Sequence, residues 1–150
     1  MKTKSNHAAV AAIARKELKR LGIKGTATGR MSGGASSVTV TAWDISPIVA
    51  RELATFCRRY ELGTFDGADD CYRYDNRDES IPQVRYCSLV THIGDSLAER
   101  IWAYCRRVYA ETPDRIDLDG YIVGMDCYGY QLINRVYDGR MGEFWPAQLR

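Results

Sequence analysis

A chain of 150 residues with 45% apolar and 27% charged content has the make-up of one globular domain, long enough to bury roughly 70% of its unfolded surface. A net charge of +2 supports neither a strongly basic nucleic-acid binder nor an acidic mimic of nucleic acid. No run approaches the ~20 apolar residues of a membrane span, and residues 1–20 lack the apolar stretch of a signal peptide, so a cytoplasmic location is expected.

Ser5 or Asn6 can cap a first helix running to about Leu21, with Val10, Ile13, Ala14, Leu18 and Leu21 as its apolar stripe. Arg15, Lys16, Lys19 and Arg20 crowd its last turns, where positive charge suits the helix dipole; the sharper reading is a phosphate-binding patch. Gly22 stops the helix. Ile23 to Thr28 reads as a weak strand and Ser36 to Trp43 as a strong one, in which Val38, Val40 and Ala42 alternate with Ser37, Thr39 and Thr41. Such alternation leaves one face wet. The connection from Gly29 to Ala35 lacks the spacing and lysine of a P-loop, and reads as a mobile hairpin loop exposing Arg30 and Met31.

Ser46-Pro47 opens a second helix to about Tyr60, with Val49, Leu53, Phe56, Cys57 and Tyr60 inward. Beyond it, Gly63 and Gly67 are expected to take the positive φ angles of a helix stop and a tight turn. Phe65 is expected to fold back onto the core, and Tyr72 and Tyr74 to point the same way off a strand from Cys71 to Asp75. A polar loop from Asp75 to Ser80 leads past Pro82 into a strand ending near His92. A third helix follows Gly94-Asp95-Ser96, extends to about Ala110 and is broken by Thr112-Pro113. Tyr121 to Val136 reads as a hairpin, and Asp138 to Arg150 as a loose arm whose Phe144 and Trp145 either tuck onto the core or anchor a partner.

The third helix echoes the second. Val49, Leu53, Phe56, Cys57 and Tyr60 return 48 positions later as Leu97, Ile101, Tyr104, Cys105 and Val108, and Asp70-Cys71-Tyr72-Arg73-Tyr74 returns as Asp126-Cys127-Tyr128-Gly129-Tyr130. Duplication and convergence of amphipathic helices both account for this. The expected fold is α+β: an antiparallel sheet with three helices, in the chain order helix, strand, strand three times over.

Chemistry-bearing residues are sparse. Cys57, Cys71, Cys87, Cys105 and Cys127 are widely spaced, with no C-x-x-C, and read as buried reduced thiols. His7, near a fraying terminus, and His92, surface-facing after a strand, lie in no catalytic motif, so no enzyme activity, cofactor or metal is expected. The tyrosine-bearing acidic stretch of Asp66, Asp69, Asp70, Tyr72, Tyr74, Asp75, Asp78 and Glu79 has no metal-loop spacing and reads as a solvated edge or an acidic interface.

Residues from about 8 to 75 resemble a small domain that recurs in the large polyvalent proteins of phages and conjugative elements. The matching pieces are A-A-I-A-R-K-E-L-K, G-G-A-S-S-V-T-V-T-A-W and G-T-F-D-G-A-D-D-C-Y-R-Y, in that order. The remainder divides into a helix-and-strand part, 76–136, and the arm, 137–150, all within one domain. The resemblance implies a mobile-element origin in a host bacterium, and no catalytic residue comes with it. The expected function is anti-defence: stoichiometric binding to a host immune complex of CRISPR type, protein or ribonucleoprotein, through the acidic-tyrosine edge. The alternative is a nucleic-acid-binding accessory using Arg15, Lys16, Lys19, Arg20, Arg58, Arg59, Arg106 and Arg107.

Overall fold

The alternation of valine and threonine makes Ala35–Trp43 (β2) the central strand of a three-stranded sheet. Its Val38, Val40 and Ala42 are buried while Thr39 on the opposite face is exposed. A computed structural model describes residues 5–146. In it Gly25–Ser32 (β1) pairs antiparallel with β2 from Gly25 opposite Ala42 to Ser32 opposite Ala35. The ladder therefore runs on through Gly29, Arg30 and Met31. Only Gly33 and Gly34 turn the chain, with φ of 54° and 78°. Two left-handed residues form the tight turn whose twist matches that of the strands, so the expected mobile loop is a two-residue hairpin. Met31 and Arg30 are exposed as expected.

The helix Asn6–Arg20 (α1) lies against β1 and β2, burying Val10, Ala11, Ala14 and Leu18. Leu21 just beyond it stays exposed. Ser5 precedes the helix without a side-chain capping bond. Pro47–Arg59 (α2) follows, with Leu53 and Cys57 buried on one face and Tyr60 buried just past its end. Ser46 does not cap it: its buried hydroxyl has no hydrogen-bond partner among the described residues. A hairpin of Thr64–Asp66 (β3) and Cys71–Arg73 (β4) comes next, and then Tyr86–His92 (β5). β5 joins the sheet on the free side of β2 and runs parallel to it. The sheet is mixed, not antiparallel as expected, because the helix between β2 and β5 carries the chain back to the starting end.

The third helix, Asp95–Val108 (α3), buries Leu97, Ala98, Ile101, Trp102 and Cys105. Val108, expected on this stripe, is exposed. The stripe centres on Trp102, whose ring N–H donates to the Pro113 carbonyl at 2.9 Å. Tyr121–Ile122 (β6) and Cys127–Tyr128 (β7) form a minimal hairpin around a 3-10 turn at Val123–Met125. The chain then enters a fourth helix, Gly129–Tyr137 (α4), where a second strand was expected to continue. Leu132, Ile133 and Val136 are buried along it, a helical spacing. The Tyr128 N–H is held at the helix start by the Gln131 side-chain oxygen, 2.9 Å away. The described residues thus contain four helices, not three. Helix, strand, strand does recur three times, with β5 interposed before the third and α4 following it.

The chain groups into two compact units, 5–45 with 50–92, and 46–49 with 93–146 among the described residues. The second has its own core, in which α3, Ile122, Cys127 and α4 meet Trp145. Trp145 is buried, and its ring N–H donates to the Tyr137 carbonyl at 3.1 Å. The C-terminal arm is tucked in that far; residues 147–150 of it lie outside the described residues, as do 1–4. No described helix is long and apolar enough to cross a membrane.

Candidate functional site

The acidic-tyrosine stretch folds into the β3–β4 hairpin and the loop after it. Phe65 pairs with Tyr72 and Asp66 with Cys71 across the ladder. Gly63 is required at its base for space: a Cβ there would lie 1.8 Å from the Arg73 carbonyl oxygen. Neither Gly63 nor Gly67 has the expected positive φ; Asp70 takes it instead, at 51°. An aspartate tolerates that conformation better than most residues because its short side chain bonds locally. The turn is also held by the Asp66 carboxylate, which accepts the Ala68 N–H at 3.0 Å. Phe65, expected in the core, is 52% exposed. Its three-residue strand is too short to hold it against a core, and about half of the residue stays in solvent.

The acidic residues are not equivalent. Arg73, absent from the residues expected at the site, bridges Asp66 at 2.9 Å and Asp69 at 2.8 Å. Asp75 accepts the Thr64 hydroxyl at 2.9 Å, at the hairpin base. Asp78 accepts the Ser80 hydroxyl and N–H, and these bonds hold its carboxyl below the usual carboxylate range. Asp70 and Glu79 stand exposed. Among the described residues no three His, Cys, Asp or Glu side chains gather within reach of a metal.

Tyr72 and Tyr74 meet edge to face at 5.0 Å, as same-side residues should, and Tyr72 meets Tyr86 of β5 at 5.5 Å. Arg85 lies over the Tyr72 and Tyr86 rings, 4.9 and 5.5 Å from their centres, and Arg77 over Tyr74 at 4.8 Å. The Tyr72 hydroxyl donates to the Arg85 carbonyl at 2.5 Å. Burial pushes its phenol up to about 12, with the nearby Glu61 charge adding to the effect. The edge is therefore acidic at the hairpin tip and an arginine–tyrosine stack at its root. Sequence reasoning missed Arg77, Arg85 and Tyr86; the Tyr-Arg-Tyr and Arg-Tyr pairs were the available signal.

The loop after the hairpin is fixed to the end of α2. The Asn76 amide donates to the Arg58 and Glu61 carbonyls, each at 2.9 Å. Buried Gln83 donates to the carbonyls of Arg59, Glu61 and Asn76 and accepts the Asp78 N–H. These amides satisfy carbonyls that a helix end leaves open.

The basic residues are dispersed. Arg15 donates to the Ala27 carbonyl at 2.6 Å and Arg20 pairs with Glu17 at 2.7 Å, while Lys16 and Lys19 are exposed on α1. Arg58 and Arg59 close α2. Arg106 and Arg107 belong to the second unit, where Arg106 pairs with Asp114 at 2.8 Å and Arg107 lies over the Tyr104 ring.

Four of the five cysteines are buried and free, but Cys71 on β4 is exposed, contrary to expectation. Cys57 and Cys87 share a hydrogen bond, which together with burial pushes the Cys87 thiol up. His7 sits in the first turn of α1, its Nδ1 buried, rather than at a frayed end. His92 is exposed and stacks on Trp43 at 5.1 Å. No protein-family model matches this chain, and no curated protein or solved structure matches it either.

Proposed function

We propose that the protein is a stoichiometric anti-defence protein of a phage or other mobile element, and that the β3–β4 hairpin is its contact with a host immune complex. The observation that carries the binding surface is Phe65, 52% exposed on the strand that leads into the exposed Asp69–Asp70 turn, with Tyr74 49% exposed at the root. An aromatic left in water on a turn that is internally bonded is preorganised: docking buries it at little cost in ordering. The neighbouring carboxylates steer it toward a basic surface of the kind that holds nucleic acid. The sequence resemblance supplies the setting of a mobile element and its host, and the tyrosine–arginine stack supplies hot-spot residue types.

The test is affinity capture from nuclease-treated host lysate, with a double Asp69→Lys, Asp70→Lys variant and Phe65→Ala run alongside. Recovery of a CRISPR-type complex, weakened roughly tenfold or more by each change, is the expected result. Capture that survives both changes overturns the hairpin as the contact. Capture that appears only when the nuclease is omitted overturns the inhibitor reading and leaves the basic residues of α1 and α2 as the working surface.

A further inference from the structure

The outer edge of β5 is open, and α2 forms a wall beside it. Register pairs Val38 with Cys87, Val40 with Leu89 and Ala42 with Thr91, so these β5 side chains share the buried face of the sheet. Their main-chain groups lie in the plane of the sheet and point away from β2. The Asp44 N–H donates to the His92 carbonyl at 2.9 Å, so His92 turns its backbone toward β2, and alternation turns Cys87, Leu89 and Thr91 outward. Cys87 bears this out: its N–H donates to the Glu61 carboxylate at 2.9 Å. Upstream, the same edge is covered where Val84 exchanges backbone bonds with Tyr60 and Leu62. At Leu89 and Thr91 the outward backbone groups have no partner among the described residues.

Between this edge and α2 runs a cleft of about 470 Å³. Its helix wall presents small side chains, Ala50, Ala54 and Cys57, with Arg51 and Arg58 flanking them. Ala54, Arg51, Arg58 and Thr91 are all exposed, so the cleft is reached from solvent.

We infer that this cleft binds an extended acidic segment of a partner protein, which adds to β5 as a fourth strand. The open N–H and C=O groups at Leu89 and Thr91 recur every ~6.6 Å, the repeat an added strand presents in return. Glu61 caps the first outward N–H, that of Cys87, so the added strand pairs from Leu89 onward. Alternate side chains of the added strand point at α2, where the alanines leave room for them. Arg51 and Arg58 stand seven residues apart, ~10.5 Å along the helix, and give this wall its positive charge, from which exposed Arg58 reaches a carboxylate of the added strand. A second copy of this chain is a poorer occupant, because symmetric pairing would bring these arginines toward their own counterparts. The cleft is separate from the hairpin contact proposed above, so either assignment stands without the other.

The test uses amide NMR of the full chain with two probes, acetyl-Asp-Thr-Ala-Thr-Asp-amide and its counterpart with lysine in place of aspartate. The acidic peptide is expected to shift the Leu89 and Thr91 amides and slow their hydrogen exchange about tenfold, and the basic peptide to do neither. Ala54→Trp, which fills the cleft from an exposed helix position, should weaken binding about tenfold or more. Arg58→Glu should reverse the preference between the peptides. Thr91→Pro removes one outward N–H and leaves the β2 ladder intact, so it should weaken binding while the α1 amides stay in place. No shift with either peptide, equal response to both, or an unchanged affinity in Ala54→Trp overturns the proposal. So does concentration-dependent protection of Leu89 and Thr91 without peptide, which would assign the edge to a second copy.

Discussion

The two small hairpins carry nearly the same local sequence and meet opposite fates. Each places an aspartate in the left-handed region, Asp70 at φ 51° and Asp126 at φ 48°, directly before a Cys-Tyr strand. Around β3–β4, Cys71 and Phe65 face solvent. Around β6–β7, Cys127 and Ile122 are 1% and 5% exposed. The backbone device is shared, so the turn is written locally. Burial is decided by the next segment of the chain. Gly129 opens α4, which brings Leu132, Ile133 and Val136 into the same core as Ile122 and Cys127. After β4 the chain runs through the polar loop Asp75 to Ser80, which brings no apolar cover. One hairpin is built into a core, and the other keeps Phe65 and Cys71 in solvent.

That contrast predicts its largest effect in stability. Ile122→Ala removes a buried branched side chain and should cost about 2–4 kcal/mol of unfolding free energy. Phe65→Ala, although it deletes more atoms, should cost less, about 1 kcal/mol, because about half of that side chain is in water already. Denaturant titration of the two variants separates them. Comparable losses would mean that Phe65 packs against the core after all.

Legibility followed the same division between local and distant causes. α1, α2 and α3 were readable because their apolar spacing and flanking breakers are local. The Gly33–Gly34 turn was missed although the signal was present: two adjacent glycines between alternating segments favour a two-residue turn. β5 was located, but its direction depends on pairing with β2 more than forty residues earlier (Ser37 with Tyr86), which no local pattern encodes. α4 was read as strand because the alternating Tyr128 and Tyr130 hid the helical spacing of Leu132 and Val136. Of the candidate site, the acidic and tyrosine residues were visible. The pairing of Asp66 and Asp69 with Arg73 and the stacking of Arg77 and Arg85 were not, since both require the hairpin to be folded.

A smaller difference is expected at the left-handed aspartates. A non-glycine residue in this region carries roughly 1 kcal/mol of strain, which glycine relieves at some cost in chain entropy. Asp70→Gly should therefore stabilise modestly, by about 0.5 kcal/mol, since nothing else rests on that side chain. Asp126→Gly should gain less, because the Asp126 carboxylate also accepts the Tyr121 hydroxyl. Thermal melts of the two variants compare them directly. An equal gain at both sites would show that the Tyr121 bond contributes nothing to the second hairpin.

The smallest effect lies in alkaline titration, where both hairpins hold a phenol above its ordinary value of 10 for different reasons. Tyr72 is raised to about 12, first by burial under the tyrosine–arginine stack. Tyr121 is raised first by its hydrogen bond to Asp126, which favours the protonated phenol. Folding thus keeps the proton on each tyrosine to a higher pH than in the unfolded chain. The resulting stability is whole below pH 10 and, for Tyr72, fades as the pH climbs to about 12. Asp126→Asn removes the charge that holds the Tyr121 proton, so the absorbance titration of Tyr121 should fall back toward that of an exposed phenol while Tyr72 is unmoved. Tyr72→Phe should delete the latest-titrating component and leave Tyr121 as it was. If Asp126→Asn lowers both phenols together, the two hairpins are not separate electrostatic environments, and the division between a buried and an exposed hairpin loses its support.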